Sequence, residues 1–403
     1  MSQVAGEAAS RTAARRIRDW AESGVPALTG FPGGPTLVPP GVAATVAREH
    51  TARIATVTGG RVRLDGARML TERAAFTRST RGGTRSAGRA CRLLPTADGW
   101  AAVTCARPDD PVLLAALTCQ DAVDDPWPAV AQWLRTHTGA ELAERAMLLG
   151  VAAGPLAPAP AEPPRPLLPR SVDGLRVVDF SALWAGPLCA HLLGLAGARV
   201  IKVETPTRPD GARRGAPDFY RLLHGGHESV VLDPGDPAQR RALRELVDSA
   251  DIVIEASRPR ALTRFGLDAQ AFADAGGTWI SITAHGRASD RIGFGDDIAA
   301  TAGLVARAPD DTPLFVGDAI ADPLTGLTAA VLAMSAPADG AGRLWDISMT
   351  AVVAATLDPG TTATVPIDEP YILAPARRAA TGTAPDSGRD TSAVLAELGV
   401  RLG

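Results

Sequence analysis

The stretch that decides the fold is RVVDFSALWAGPLCAHLLGLAGARVIKVE, from Arg176 to Glu204. It opens with an apolar strand, turns at Ala185-Gly186-Pro187, continues as an apolar helix and ends in a second apolar strand. A strand, a helix and a strand in this order are typical of a βαβ unit in a parallel sheet. Ligands bind such sheets beyond the carboxyl ends of the strands, so the loop from Ser181 to Pro187 is predicted to line a site.

The alternation of strand and helix patterns continues through residues 171–350 and predicts an α/β fold. We expect a doubly wound parallel-sheet (Rossmann-like) large domain there, together with a smaller α+β domain at 79–155. With 403 residues, the chain is longer than a single core usually supports. The remaining predicted segments are an N-terminal helical and loop segment at 1–78, a proline-rich linker at 156–170 and a C-terminal tail at 351–403 that packs on the large domain.

Composition excludes several classes of function. The chain is 46% hydrophobic and 21% charged with a net charge of -3, so it has no basic field for binding nucleic acid. Lys202 is its single lysine, and the excess of arginine suggests a GC-rich bacterial genome. The four cysteines show no CxxC spacing, and we find neither a signal peptide nor an apolar run of transmembrane length. We therefore expect a cytoplasmic protein that does not associate with membranes.

The smaller domain has its own local patterns. RLLPT, a turn at Ala97-Asp98-Gly99 and WAAVTCA predict a β-hairpin. Three helical stretches follow, PVLLAALTCQ, WPAVAQWLRTHT and GAELAERAMLLG. Before it, apolar residues recur at helical spacing over residues 42–76 and predict helix, turn and helix.

Five motifs of the large domain resemble, in order, the class III CoA-transferases. That family contains formyl-CoA and carnitine CoA-transferases and the related acyl-CoA racemases. The motifs are VVDFSALWAGPLCAHLLGLAGARVIKVE, HGGHESVVLDPGDPAQRRALRELVDSADIVIEASRPRALTRFGLD, WISITAHGRASDRIGFGDDIAATAGLVA, IADPLTGLTAAVLAM and GRLWDIS.

TRGGTRSAGRACRLLPTADGWAAVTC and WLRTHTGAELAERAMLLGVAAGP are similar to the family's small domain, which usually follows the catalytic half. Here it precedes that half. Two loose internal sequence repeats suggest that the first 155 residues resemble the later half of such an enzyme, with the acidic residue missing. A circular permutation is the alternative, and the sequence leaves both open. RDTSAVLAELGV resembles the family's ending, so we expect no truncation there.

The resemblance implies that Asp322 is the nucleophile, which attacks an acyl-CoA thioester and forms an aspartyl anhydride. Locally, Asp322-Pro323 is also a favoured way to begin a helix, with aspartate as the N-cap. Asp318 is a competing carboxylate whose spacing to the helix is less suitable. The resemblance further implies that Gly82 and Gly83 of the glycine-rich loop close over Asp322, because backbone without side chains can approach a reacting carboxylate.

The family's contact positions for coenzyme A fall on loops after the strands. Two of them depart from the family pattern, with tryptophan at 184 and glycine at 293. Arg213, Arg258 and Arg260 can also be read as solvated surface arginines. The implied contacts are Trp184, Ala185, Arg214, Leu232, Ala256, Ser257, Arg258, Arg264, Gly293, Phe294, Gly295 and Asp296.

The function implied is transfer of CoA between an acyl-CoA and a carboxylic acid, with CoA thioester as substrate and no permanently bound cofactor. A non-catalytic CoA-binding or scaffold protein is the alternative from another class. Racemisation is disfavoured, because no histidine follows His285. The loop before Glu204 lacks GxGxxG, which disfavours NAD, and His224 and His227 form a turn with no further metal ligand at a recognisable spacing. A homodimer is expected from the resemblance.

Overall fold

The structure is a computed structural model that describes residues 2–121, 123–158, 161–257, 259–357, 364–367 and 371–400. Side chains are described from Thr12 onwards, with the exception of Pro259. None of the helices in these ranges is both long enough and apolar enough to cross a bilayer.

The N-terminal segment is mainly helical. Helix, turn and helix were predicted over residues 42–76, and a long helix, a turn and two short helices occupy that region. The segment also contains a 3-10 helix at Val25–Leu28. Its elements are α1 (Ser2–Ser23), β1 (Thr36–Val38), α2 (Ala43–Val57), α3 (Gly66–Met69) and α4 (Glu72–Thr77).

The small domain is a three-stranded antiparallel sheet covered by helices. The predicted hairpin is confirmed, with Cys91 opposite Thr104 and Pro95 opposite Trp100. The three predicted helices are also present. The elements are β2 (Cys91–Pro95), β3 (Trp100–Thr104), α5 (Asp110–Thr118), α6 (Trp127–Leu134), α7 (Gly139–Leu149) and β4 (Ala153–Pro155).

The large domain alternates strands and helices, as the sequence pattern predicts. Its elements are β5 (Leu168–Pro169), β6 (Arg176–Asp179), α8 (Ala185–Leu195), β7 (Arg199–Glu204), α9 (Pro217–His224), β8 (Glu228–Val231), α10 (Pro237–Asp248), β9 (Ile252–Glu255), α11 (Pro259–Thr263), α12 (Ala269–Asp274), β10 (Thr278–Thr283), α13 (Gly295–Thr301), β11 (Ala306–Arg307), β12 (Pro313–Leu314), α14 (Ala321–Ala333), β13 (Ser335–Ala336), β14 (Arg343–Ser348), α15 (Met349–Ala354), β15 (Val365–Ile367) and α16 (Thr391–Glu397).

Within the described residues, the central sheet has six parallel strands in the order β14-β10-β9-β6-β7-β8. Counted along the chain from β6, this is the strand order 3-2-1-4-5-6 of doubly wound nucleotide-binding folds. It confirms the predicted α/β fold class. The order reverses between β6 and β9, and ligands in such sheets bind in the crevice at the carboxyl ends of the two strands flanking that reversal.

The sheet is buried on both faces, which explains why its strands are almost continuously apolar. Alternate residues face opposite sides, so Val177 joins one core cluster and Val178 the other. The first cluster includes residues of α8 and α14, and the second those of α10 and α16. Both α8 and α14 therefore lie on one face of the sheet.

The N-terminal helices share the first of these cores. Trp20, Ile54 and Leu70 belong to the same buried cluster as Leu188 of α8 and Leu327 of α14. Strand β1 also pairs antiparallel with β15 near the other end of the chain. The segment predicted as residues 1–78 thus contributes one wall of the large domain's core.

One face of the small domain's sheet packs against the large domain. Leu93 and Ala102 pack against Ala300 and Phe315 of the large domain. Across this contact the hydroxyl of Thr104 donates a hydrogen bond of 2.9 Å to Asp297. The end of β3 is thereby fixed beside the N-terminus of α13.

A close contact between α8 and α14 positions the start of α14. A Cβ added to Gly326 would lie 2.6 Å from the carbonyl oxygen of Ala185, far inside van der Waals contact. Glycine at 326 is what lets the first turns of these two helices meet. This contact sets the position of Asp322, one helical turn before Gly326.

We predict that Gly326→Ala destabilises the protein by about 1–3 kcal/mol, because the added methyl overpacks a backbone contact that cannot move independently. Urea unfolding followed by circular dichroism measures this difference. Gly99→Ala is the matched control, since a Cβ at Gly99 meets no atom within 4 Å. If Gly326→Ala and Gly99→Ala unfolded at the same urea concentration, the proposed helix contact would be wrong.

Candidate active site

Asp322 is the second residue of α14, and it lines two cavities. The helix begins two residues earlier than the N-cap interpretation requires, with Ile320 in the cap position and no side-chain cap. The carboxyl group is therefore not used to cap the helix. Burial, reinforced by Asp296 and Asp318 and opposed by Arg73, raises its pKa to about 7.

Gly295 lies directly against this carboxyl group. A Cβ at position 295 would be 2.3 Å from Oδ2 of Asp322 and 2.6 Å from the carbonyl oxygen of Ala319. Only glycine fits there without displacing the carboxyl group. Gly295 was predicted as a CoA contact, and the structure places it beside the predicted nucleophile.

Asp318, the competing carboxylate, is fully buried and occupied by an ion pair. Nε of Arg73 donates to its Oδ2 at 2.9 Å, and a second guanidinium nitrogen donates to its Oδ1. Arg73 also lies over the ring of Trp184, with 5.4 Å from the guanidinium carbon to the ring centroid. Because both of its oxygens are bound by Arg73, Asp318 is the less available nucleophile.

Asp296 is a third carboxyl group in this cluster. Burial and the nearby charge of Asp318 raise its pKa to about 6. Its Oδ1 accepts a hydrogen bond of 2.8 Å from the backbone N–H of Ala319. Asp296 therefore holds the turn that leads into α14, although the resemblance assigned it to CoA.

The two cavities meet at Asp322, and Leu183 and Phe294 also line both. The smaller, of about 160 Å³, lies at the carboxyl ends of β6, β9 and β10. It therefore occupies the crevice that the strand order predicts. The larger, of about 850 Å³, lies between the large domain, α4 and the small domain.

Most of the implied CoA contacts line these cavities. Leu232 is instead buried in the second core cluster, Arg264 is exposed and lines neither cavity, and Arg258 lies outside the described residues. The contacts that line one or both cavities are Trp184, Ala185, Arg214, Ala256, Ser257, Gly293, Phe294, Gly295 and Asp296.

Gly82 and Gly83 line neither cavity. Gly83 packs against the ring of Phe31, and its carbonyl accepts a hydrogen bond of 3.0 Å from the backbone N–H of Phe315. A later part of the same loop reaches the site instead. A Cβ on Gly88 would lie 3.5 Å from the guanidinium of Arg73. Closure of Gly82 and Gly83 over Asp322 remains a prediction.

A buried lysine fixes the loop between β6 and α8. Nζ of Lys202 donates to the carbonyl of Ser181 at 2.7 Å and lies 3.0 Å from Asp210. Oδ1 of Asp210 in turn accepts a hydrogen bond of 3.0 Å from the backbone N–H of Leu183. Leu183 has a positive φ of 69°, an uncommon conformation for a non-glycine residue that this network holds in place.

Two polar atoms on the cavity walls have no hydrogen-bond partner in the described part of the chain. They are Nε1 of Trp184 and Oγ of Ser257. Buried polar atoms normally find a partner, so both are suited to contacting a ligand. Trp184 lines the larger cavity and Ser257 the smaller.

The other candidate chemistries find no support in the geometry. Glu204 is paired with Arg213 at 2.6 Å, so it is not free to bind a ribose. His224 and His227 are buried, and their ring centroids are 5.5 Å apart. His285 is hydrogen-bonded to Thr350 and lines neither cavity. Among the described residues, no group of three or more His, Cys, Asp or Glu side chains could hold a metal ion.

Sequence reasoning missed Arg73, Gly88 and Lys202 as residues of the site. Lys202 was noted only as the single lysine, although its isolation in an arginine-rich chain was a usable signal. Arg73 lies 249 residues before Asp322, and no local pattern connects the two.

Two curated relatives cover the large domain. The chain is 30% identical over 205 residues to the succinyl-CoA–D-citramalate CoA-transferase of Chloroflexus aurantiacus, covering 46% of this chain and 50% of that protein. It is 30% identical over 210 residues to the succinate–glutarate CoA-transferase of Agrobacterium fabrum, covering 46% and 52%. The chain thus spans about half the length of the curated relatives it matches.

A solved structure of a CAIB/BAIF family protein from Brucella suis is 28% identical, with a TM-score of 0.42, over 46% of this chain and 55% of that chain. The sequence profile of CoA-transferase family III matches residues 172–386, which is more than half of this chain. The predicted resemblance is confirmed, and the chain belongs to CoA-transferase family III.

Proposed function

We propose that this protein is a CoA-transferase that moves CoA from an acyl-CoA to a carboxylic acid through covalent intermediates on Asp322. The observation that carries the proposal is the position of Asp322. Its carboxyl group does not cap the helix and lies where two cavities meet. Such a carboxyl group can be reached by a thioester from one side and by an acid from the other. The names of the two curated relatives, both CoA-transferases acting on succinyl or succinate groups, agree with it.

In the first half-reaction, the ionised Asp322 attacks the thioester carbonyl of the donor. The C–S bond breaks, CoA leaves as thiolate, and an acyl-aspartyl anhydride forms. The thiolate then attacks the aspartyl carbonyl of the anhydride, which releases the donor acid and leaves an aspartyl-CoA thioester. One difficult transfer is thereby divided into easier steps.

In the second half-reaction, the acceptor carboxylate attacks the aspartyl thioester and expels the thiolate. The new anhydride joins the acceptor acyl group to Asp322. Attack of the thiolate on the acceptor carbonyl forms the product thioester and frees the carboxylate of Asp322. No oxidant, reductant or metal is required to balance these steps.

The surrounding residues have distinct roles in this chemistry. The positive charge of Arg73 opposes the rise in the pKa of Asp322 and so favours its reactive, ionised form. Gly295 has no side chain, so its backbone lies against the carboxyl group without displacing it. The loop held by Lys202 and Asp210 keeps Leu183 on the wall shared by both cavities.

We place the CoA thioester in the smaller cavity, where the predicted contacts Ala256, Ser257 and Gly293 lie at the strand ends. The acceptor acid then occupies the larger one.

A non-catalytic CoA-binding protein is the main alternative. It would bind CoA without exchanging it, whereas a racemase would exchange the proton at the α-carbon of a 2-methylacyl-CoA.

We further propose a cytoplasmic homodimer. Helices α5 and α7 pack together, and Val112, Met147 and Leu148 on them are exposed at 59%, 46% and 76%. Large exposed apolar side chains on adjacent helices are typical of an association surface.

The nucleophile is tested by Asp322→Ala. We predict a loss of transfer by about three orders of magnitude or more, since no other carboxylate can form the anhydride. CoA binding, measured by calorimetry, should remain within a few-fold of wild type. Asp310→Asn, at an exposed carboxylate, is the control. Full transfer by Asp322→Ala would exclude the mechanism, and binding without exchange by the wild type would favour the non-catalytic alternative.

The raised pKa of Asp322 predicts the pH dependence. Activity should rise with pH and level off above about 7, because only the ionised carboxylate attacks. Arg73→Gln should move this midpoint to higher pH, whereas Arg73→Lys, which keeps the charge, should move it less. An unchanged midpoint in Arg73→Gln would contradict the assigned role of Arg73. Initial rates between pH 5 and 9 give the midpoints.

The same pKa has a consequence for stability that needs no substrate. A carboxyl group with a pKa raised from 3.8 to about 7 in the folded protein destabilises it as pH rises through that interval. Asp322→Asn should therefore melt at a higher temperature than wild type at pH 8 and lose this advantage near pH 4. A constant difference in melting temperature would mean that the group is not held in a buried environment.

Light scattering tests the dimer. At micromolar concentration we expect twice the chain mass of 41.5 kDa, and Leu148→Glu should shift the mass towards that of the monomer. A wild-type protein that remained monomeric would contradict this part of the proposal.

A further inference from the structure

The wall of the larger cavity is rich in arginine. Among the described residues, those that line it are Arg73, Arg78, Arg89, Arg107 and Arg214. Two of these charges are already paired, Arg73 with Asp318 and Arg107 with Asp110. The side chains of the other three form no hydrogen bond or ion pair within the described ranges.

Arg78 and Arg89 are exposed and enter the cavity wall from the N-terminal half of the chain. Arg78 follows the last residue of α4, the helix that carries Arg73. Both arginines have positive φ angles, of 56° and 63°. This conformation costs a non-glycine residue roughly 1–3 kcal/mol, and glycine or asparagine would adopt it more readily.

The turn that carries Arg89 is fixed to the carboxyl cluster. The backbone N–H of Arg89 donates to the carbonyl of Ser86 at 2.8 Å, and the buried side chain of Ser86 lies close enough to Asp296 to lower its pKa. Gly88, between them, lies against Arg73. Arg89 therefore projects from a turn held beside the carboxyl cluster that contains Asp296.

The arrangement suits a ligand with two charged ends. Arg78 and Arg89 line the same cavity as Asp322. An acid that reacts through one carboxylate at Asp322 would have its far end near the unpaired guanidinium groups. Guanidinium groups bind carboxylates with planar, charge-assisted hydrogen bonds.

We infer that Arg78 and Arg89 bind the distal carboxylate of a dicarboxylic acid, so that the acid exchanged at Asp322 is a dicarboxylate. The inference rests on the proposed transferase function. Arg214 belongs to the 3-10 helix on the opposite side of the cavity, which is formed by the large domain.

The test compares matched acids as acceptors, succinate with butyrate and glutarate with pentanoate, in wild type, Arg78→Gln, Arg89→Gln and the double variant. Each single substitution should raise KM for the dicarboxylates roughly tenfold or more, because a charge-assisted bond is lost. The monocarboxylates and the acyl-CoA should keep their KM within about twofold, as expected for surface changes without a contact. Arg135→Gln, at an exposed arginine of the small domain, is the control.

An equal loss with monocarboxylates and dicarboxylates would overturn the inference. So would a rise in KM for the acyl-CoA alone, which would assign the arginines to phosphate. Calorimetric binding of glutarate needs no turnover and separates the two proposals. If the wild type transferred nothing but bound glutarate more tightly than the double variant, the arginine site would stand and the transferase function would fail. No difference in glutarate binding would refute the site.

Discussion

Three carboxyl groups share one guanidinium group in the interior of this protein. Asp318 takes both donors of the Arg73 ion pair, and Asp296 lies close enough to Asp322 to raise the pKa of Asp322. Buried charges are costly unless they are paired, so this cluster is stable only with Arg73 in place. Burial, with Asp296 and Asp318 nearby, raises the pKa of Asp322 to about 7, so a large share of this carboxyl group is ionised near neutral pH and able to react.

The pairing joins the N-terminal half to the site. Arg73 lies on α4, and the turn from Ser86 to Arg89 reaches the same cluster. The half that carries Asp322 thus obtains its counter-charge, and one wall of its larger cavity, from residues that precede it in the chain. A small domain that comes first in the sequence can still contribute to the site within one subunit, because its sheet packs on Ala300 and Phe315 and its Thr104 donates a hydrogen bond to Asp297.

Sequence reasoning was most successful where the pattern was local. Continuous apolar strands and a turn at Gly186 predicted the parallel sheet, and the ordered motifs identified the family. It could not find Arg73, because an ion pair with a carboxylate 245 residues away leaves no periodic trace. Nor could it rank the glycines: Gly83 and Gly88 look equivalent in RGGTRSAGR, and only packing shows that Gly83 meets Phe31 while Gly88 meets Arg73.

If Asp322 forms the proposed anhydrides, its carboxyl group exchanges oxygen with the carboxylic acids that react with it. When an acceptor labelled with ¹⁸O in both carboxyl oxygens passes through the anhydride, the bridging oxygen stays on the enzyme after the thiolate attacks the acceptor carbonyl. After several turnovers, fragmentation of the peptide that contains both residues should place the incorporated ¹⁸O on Asp322 and not on Asp318, and the peptide that contains Asp296 should show none. Formation of the product thioester with an unlabelled Asp322 peptide would contradict the account.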